Sequence, residues 1–273
     1  EHFVFKLNRM GLNGMNIFPL IRALLICDMQ KWNGLYFEDN DMSHEDIKTL
    51  ISVLGRLPEL RELSLSGNFT SSMEGIGTTL CSLHQLSLTK LSIAGRNKNY
   101  LGPQLTEFLE QMPINSSIEE LDVSNNYAGD DCGYKVASIL KRESCLKKLN
   151  ADGMNLTKFE IFEKITNAIK GNKTVITFPF PINDALGLIT RAEKTMKDHL
   201  TQRLSSLQQD VIRTIDANRH EHSLPNELPF SDDPEIEHFV YKLSRKHHIE
   251  RDDELRRHSA VAELIGLPLP FQE

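Results

Sequence analysis

The chain has 273 residues, 40% hydrophobic and 25% charged, with a net charge of −7. These are ordinary soluble-protein values, and the absence of any run of about 18 apolar residues excludes a membrane-spanning helix. The acidic balance argues against a nucleic-acid or anionic-membrane surface.

The chain enters at Glu1 close to the start of a strand, so earlier units are expected ahead of it. Phe5-Lys-Leu7 opens a first unit, and Ile17, Leu20, Ile21 and Leu24 follow at helical spacing. The next strand is Leu35-Tyr-Phe37, with Asn40 at its turn. Ser43 is a candidate N-cap, and Asp46 three residues on completes an imperfect capping box. Ile47, Leu50, Ile51 and Leu54 then share one helical face. Leu63-Ser-Leu65 ends in Gly67-Asn68, and Gly75 and Gly77 weaken the helix expected between Met73 and Leu86. Leu91-Ser-Ile93 carries Arg96 where an asparagine is expected. A clear helix follows, with Leu105, Phe108, Leu109 and Met112 as its apolar face.

Leu121-Asp-Val-Ser-Asn-Asn126 has the pattern in its clearest form. Leu121 and Val123 point to one side of a short strand, Asp122 and Ser124 to the other. Asn126 offers a donor and acceptors to backbone groups left unpaired where the strand ends. Gly129 and Gly133 then precede Val136, Ala137, Ile139 and Leu140. Leu149-Asn-Ala151 leads to Phe159, Phe162, Ile165 and Ile169. Ile176 and Phe178 continue the register into a closing strand, where Pro179 and Pro181 prevent further pairing.

Positions 5, 35, 63, 91, 121 and 149 recur every 28 to 30 residues. A fixed period of this size predicts an α/β leucine-rich-repeat solenoid over residues 1–182, with parallel strands on a concave face and helices on a convex one. An uninterrupted helix is predicted over 184–218, inside a 183–219 segment. Its seam is Ile189, Met196, Leu200, Leu204, Leu207, Val211 and Ile215, at near-heptad spacing. Such a rod is roughly 50 Å long at about 1.5 Å per residue, longer than one terminal unit covers. A homodimer through this helix is therefore expected. The alternatives are docking on the convex side and fold-back of a tail helix bearing Ile236, Phe239, Val240 and Leu243. Residues 220–273 are read as a helical tail.

No Walker loop, nucleophile elbow or His-Glu-x-x-His pair is present, and no catalytic, cofactor or metal residues are assigned. His220 with His222, and His247 with His248, read as exposed histidines. Cys27, Cys81, Cys132 and Cys145 form no CxxC pair and read as small buried residues in a reducing compartment. What the units offer is a surface. Its candidate partner-binding residues are Lys6, Asn8, Tyr36, Glu38, Ser64, Ser66, Ser92, Ala94, Asp122, Ser124, Asn150 and Asp152. Tyr36 is its only aromatic. Lys6 is its only cation, so it reads as a poor phosphate surface.

The Leu-x-Leu-x-x-Asn units resemble the ribonuclease-inhibitor-type class of repeats, a link to fold more than to function. Asn172-Lys-Thr-Val-Ile-Thr-Phe-Pro-Phe-Pro-Ile-Asn-Asp-Ala185, running into a helix, resembles the end of the repeat domain in the CARMIL family of actin-regulatory linkers. In that family a similar segment leads into a helical dimerisation region. The resemblance covers roughly residues 1–219, and its specific part residues 172–219. It implies a non-enzymatic cytoplasmic scaffold with a cytoskeletal protein partner. The family's membrane-binding and capping-protein-binding segments match nothing here. Three other readings stay open: an enzyme inhibitor, a GTPase activator with Arg96 as its catalytic arginine, and the ligand-sensing domain of an immune receptor.

Overall fold

The computed structural model describes residues 3–26, 32–113, 116–142 and 145–221. Cys27, His222, His247, His248 and the expected tail helix lie outside them. Among the described residues the fold is α/β, with one six-stranded parallel sheet whose strand order follows the chain. Its strands are β1 (Phe3–Lys6), β2 (Trp32–Tyr36), β3 (Glu62–Ser64), β4 (Lys90–Ser92), β5 (Glu120–Asp122) and β6 (Lys148–Asn150). The helices that follow them in turn are α1 (Phe18–Ile26), α2 (His44–Leu54), α3 (Ile76–Cys81), α4 (Gln104–Glu110), α5 (Asp130–Leu140) and α6 (Phe159–Gly171). Such a strand order needs every crossover to turn the same way, which keeps the helices on one side of the sheet. Accordingly α1 packs on α2, α3 on α4, α4 on α5 and α5 on α6.

The pairing register is the one the spacing predicts. Phe5 lies beside Leu35, and Leu35, Leu63, Leu91, Leu121 and Leu149 continue the row from strand to strand. These five leucines are at most 2% exposed, and Phe37, Leu65, Ile93, Val123 and Ala151 two residues on are buried with them. Each such leucine contributes about 1.5–3 kcal/mol by leaving water. On the helical side two glycines are needed for close approach, and a Cβ at Gly77 of α3 would stand 2.6 Å from Gln104 O. A Cβ at Gly133 of α5 would stand 2.6 Å from Ile161 and 2.7 Å from Leu156. The capping box at α2 is complete: Ser43 Oγ accepts from Asp46 N–H, and Asp46 accepts from Ser43 N–H at 2.9 Å.

Buried asparagines join the strand ends. Asn40 donates to Leu7 O and Phe37 O at 2.8 Å and accepts from Met10 N–H at 2.8 Å. Asn68 donates to Phe37 O at 2.7 Å and Leu65 O at 2.9 Å, and accepts from Asn40 N–H. Asn126 donates to Ile93 O and Val123 O and accepts from Leu101 N–H, each at 2.9 Å. Asp184 closes the series. It accepts from Met154 and Leu156, 30 and 28 residues back, the offsets at which Asn40 serves Met10 and Leu12.

The far end differs from expectation in three ways. Lys148 pairs with Thr177, so Phe178 and Phe180 take the core places expected for Ile176 and Phe178; they are 1% and 6% exposed. The shift brings Phe180 against Phe162, ring centroids 6.1 Å apart. The helix expected over 184–218 is two helices, α7 (Ile182–Arg191) and α8 (Lys194–Glu221). No glycine or proline sits at Ala192–Glu193; anchors on either side set the break. Arg191 donates to Leu156 O at 2.6 Å, whereas α8 is held on α6 by Arg203–Glu163 and Lys170–Asp210, both 2.6 Å. Finally, the seam expected to pair between chains is used within this one. Ile189, Leu204, Val211 and Ile215 are at most 4% exposed, and Leu200 and Leu207 pack partly against the core. Met196 stays 54% exposed. The end of α8 covers the closing segment, with Asn218 donating to Asn172 O and Val175 O and Arg219 to Ile176 O. No helix among the described residues is long and apolar enough to cross a membrane.

Candidate partner-binding face

On the side of the sheet away from the helices, the residue before and the residue after each core leucine point the same way. The row after is Tyr36, Ser64, Ser92, Asp122 and Asn150; the row before is Gly34, Glu62, Lys90, Glu120 and Lys148. Charges alternate in that second row from strand to strand. Glu120 lies 3.7 Å from Lys90 and 3.1 Å from Lys148, while Tyr36 donates its hydroxyl to Glu62 at 2.5 Å. Burial, and then this acceptor, push the Tyr36 phenol above its ordinary range, so it stays a neutral donor.

Arg96 organises one edge of the face. Its two terminal nitrogens reach Glu38 at 2.7 Å and Asp39 at 3.1 Å, passing over the unit in between. Arg9 reaches the same Asp39 at 3.2 Å. Glu38 also accepts from Ser64 Oγ at 2.7 Å and Asn8 Nδ2 at 3.2 Å. A planar guanidinium can hold two carboxylates at once, which an asparagine in that position could not.

Between these rows lies a hollow of about 310 Å³ lined in part by Tyr36, Lys90, Ser92, Arg96, Lys148 and Asn150. Three cations line it, Lys90, Arg96 and Lys148, against three carboxylates, Glu38, Glu120 and Asp122. Its ion pairs are partly exposed, and such pairs contribute only about 0–1 kcal/mol each. A partner can therefore exchange them at small cost. The arrangement suits a polar protein surface carrying both signs of charge.

The predicted site residues separate into three groups. Tyr36, Glu38, Asp122 and Asn150 line the hollow with Ser92. Lys6, Asn8 and Asp152 lie outside it; Lys6 is exposed, its ammonium 5.6 Å from the Tyr36 ring centroid. Ser64, Ser66, Ala94 and Ser124 are corrected: they are 1%, 1%, 7% and 5% exposed. Glu38 and Arg96 fold over this part of the sheet, and the hydroxyls are satisfied inside it, Ser66 with Ser92 at 2.7 Å and Ser124 with Asp122 at 2.7 Å. The reading of Lys6 as the face's only cation is also corrected, by Lys90, Lys148 and Arg96. The two lysines were detectable from the alternation itself, because the residue before each leucine shares a face with the residue after it.

Asp152 sits instead at the start of α7, accepting from Asn183 N–H at 2.9 Å and Asp184 N–H at 3.3 Å. Burial first, then the charge of Asp184, push its carboxyl up to about 6. Among the described cysteines, Cys132 is buried, Cys81 half-buried and Cys145 exposed, so Cys145 departs from the buried reading. Burial pushes the Cys132 thiol up to about 12, which makes it a packing residue at neutral pH.

No protein-family model matches the chain. It is similar to the Rho GTPase-activating protein gacW of Dictyostelium discoideum, 25% identical over 213 residues, covering 75% of this chain and 18% of that protein. It is similar also to the human capping protein, Arp2/3 and myosin-I linker protein 3, 26% identical over 204 residues, 72% of this chain and 14% of that one. Protein CARMIL of Dictyostelium discoideum is 25% identical over 194 residues, 66% of this chain and 18% of its own length. The chain thus spans less than a fifth of these relatives.

Proposed function

We propose that the chain is a leucine-rich-repeat solenoid over residues 1–182, closed by α7 and α8, acting in the cytoplasm as a non-enzymatic scaffold in actin regulation. The observation that carries the reading is the polar hollow on the open strand face, with exchangeable charges of both signs around Tyr36. The similarity to two CARMIL proteins supports the actin setting, and one relative's name supplies candidate partners: capping protein, the Arp2/3 complex and myosin-I. Each is tested in purified form by titration calorimetry against the chain and against Lys90→Glu with Lys148→Glu. That double variant turns the alternating row acidic, and at least one partner should lose about tenfold in affinity, roughly 1.4 kcal/mol. If none of the three binds, or binding ignores the charge reversal, the reading fails.

A second reading, GTPase activation, draws on the similarity to gacW and on Arg96. Arg96 is held by two carboxylates and would have to leave both to reach a nucleotide. GTP turnover by a Rho-type GTPase, with the wild type and Arg96→Ala, decides it; stimulation lost in the variant favours activation. Self-association is proposed in a narrower form, through Met196 and Leu200 at the start of α8. Sedimentation equilibrium of the wild type and Met196→Glu tests it, and a monomeric wild type ends it.

A further inference from the structure

A second hollow, of about 320 Å³, opens where the turns after β5 and β6 meet α7. Its lining includes Asn125, Tyr127, Asn155, Asn183, Gly187 and Arg191, and it shares no lining residue with the hollow around Tyr36. Tyr127 is the anomaly in it. The residues after Met10, Asn40, Asn126 and Met154 all take a left-handed backbone: Gly11 at φ 64°, Asp41 at 54°, Tyr127 at 51° and Asn155 at 61°. Glycine, aspartate and asparagine adopt that conformation at least cost, whereas a tyrosine adopts it against its preference. Core packing does not explain the choice, because Tyr127 is 51% exposed and its ring meets Tyr100, centroids 5.1 Å apart. A strained, exposed aromatic points to a role outside folding, and tyrosine is among the residue types that anchor interfaces.

Arg191 supplies the charge. It is exposed, and it donates to Asn155 Oδ1 at 3.1 Å and Leu156 O at 2.6 Å. Both acceptors are neutral, and among the described residues no carboxylate pairs with it. A guanidinium has five N–H groups, so donors remain for a ligand. The carboxylates nearby are turned into the fold. Asp184 is 2% exposed and accepts from Met154 N–H and Leu156 N–H, and Asp152 accepts from the N–H groups of Asn183 and Asp184. One carboxylate matches one guanidinium, in the two-bond geometry that group favours. A phosphate, with about two negative charges, would be balanced only in part by this single cation.

We propose that this hollow docks an acidic segment of a protein partner, its carboxylate on Arg191 and an adjoining apolar side chain against the Tyr127 ring. A volume at the small end of ligand pockets fits a side chain or two of an extended segment. The site lies apart from the strand face, so it goes beyond the scaffold reading and stands or falls separately.

The test presents residues 1–273 to an array of decapeptides that combine Glu or Asp with Leu, Phe or Pro, beside the same peptides with Gln or Asn in place of the acids. Acidic peptides should bind about tenfold tighter than their amide counterparts, although the chain itself carries a net charge of −7. Tyr127→Asn should weaken that binding about tenfold and melt no lower than the wild type, because asparagine takes the left-handed backbone as Asn155 does. Arg191→Gln should erase the preference for acid over amide. Lys90→Glu with Lys148→Glu should leave this binding unchanged, which separates the site from the strand face. The proposal is overturned by an array without acidic preference, or by a Tyr127→Asn variant that binds as the wild type does. Tighter binding of the same peptides with phosphoserine in place of the acids assigns the hollow to phosphate and overturns it too.

Discussion

Asn126→Ala probes the joint that holds neighbouring units in register. Asn126 is 0% exposed, and its side chain is bonded to Ile93 O, Val123 O and Leu101 N–H, each at 2.9 Å. Alanine leaves all three groups without that partner in a site water does not reach. An orphaned buried group costs about 1–3 kcal/mol. Two of the three are carbonyls with a second lone pair, which sets the sum near the lower bound, about 3 kcal/mol. For a folded unit of this size that corresponds to a fall in melting temperature of roughly 6–12 °C. The internal control is Arg96→Ala. It removes two partly exposed ion pairs and should cost about 1 kcal/mol or less. Urea titration of both variants gives the magnitudes, and amide exchange at Leu101 reports whether the loss is local to the joint. A loss at Asn126 below about 1 kcal/mol, or equal losses at both positions, would refute the assignment of the asparagine as the structural tie.

Leu121→Ala should cost about 2–5 kcal/mol because it opens a cavity between two neighbouring units; an unchanged thermal melt would mean the leucine row is misassigned. Asp152→Asn should change the pH profile of stability. A folded-state value of about 6, above the usual carboxylate value, means that the contribution of Asp152 is fullest at low pH and is lost as pH rises from about 4 to 6. The variant should flatten that window and raise stability at pH 7 by about 1–3 kcal/mol; denaturation midpoints from pH 4 to 8 check it. Val211→Glu should place an unpaired charge between α8 and α6. Rapid proteolysis of α8 with β1–β6 intact is the expected readout, and protease resistance equal to the wild type counts against the packing.

How much could be read in advance depends on the range of each contact. The spacing of Leu35, Leu63, Leu91, Leu121 and Leu149 determines the sheet register, because a one-residue slip would turn every leucine out of the core. The roles of Asn40, Asn68 and Asn126 follow from position too, since a strand end leaves backbone groups that only a short amide can reach from there. Asp184 stands at the same offsets from Met154 and Leu156 as Asn40 from Met10 and Leu12; the pattern hid it because an aspartate fills a place where an asparagine is expected, beyond the closing segment. The break at Ala192–Glu193 carries no local mark, because Ala and Glu are good helix formers and the apolar period runs on past them. The burial of Ser64 and Ser66 follows from the reach of Arg96 to Glu38, a contact spanning 58 residues that no periodicity encodes.

That reach has a mechanical consequence. In a stack where each unit touches only the next, a pull on the two ends should peel the units away singly. Each release would lengthen the chain by roughly 100 Å at about 3.4 Å per residue. The pairing of Arg96 with Glu38 and Asp39 bridges across β3, but two partly exposed ion pairs add only about 0–1 kcal/mol each, little beside the leucine row. The 58 residues between Glu38 and Arg96 should therefore still yield as two steps of roughly 100 Å each. Arg96→Ala should lower the force of the first step and leave the step lengths unchanged, so a single side chain would tune the load at which a unit lets go.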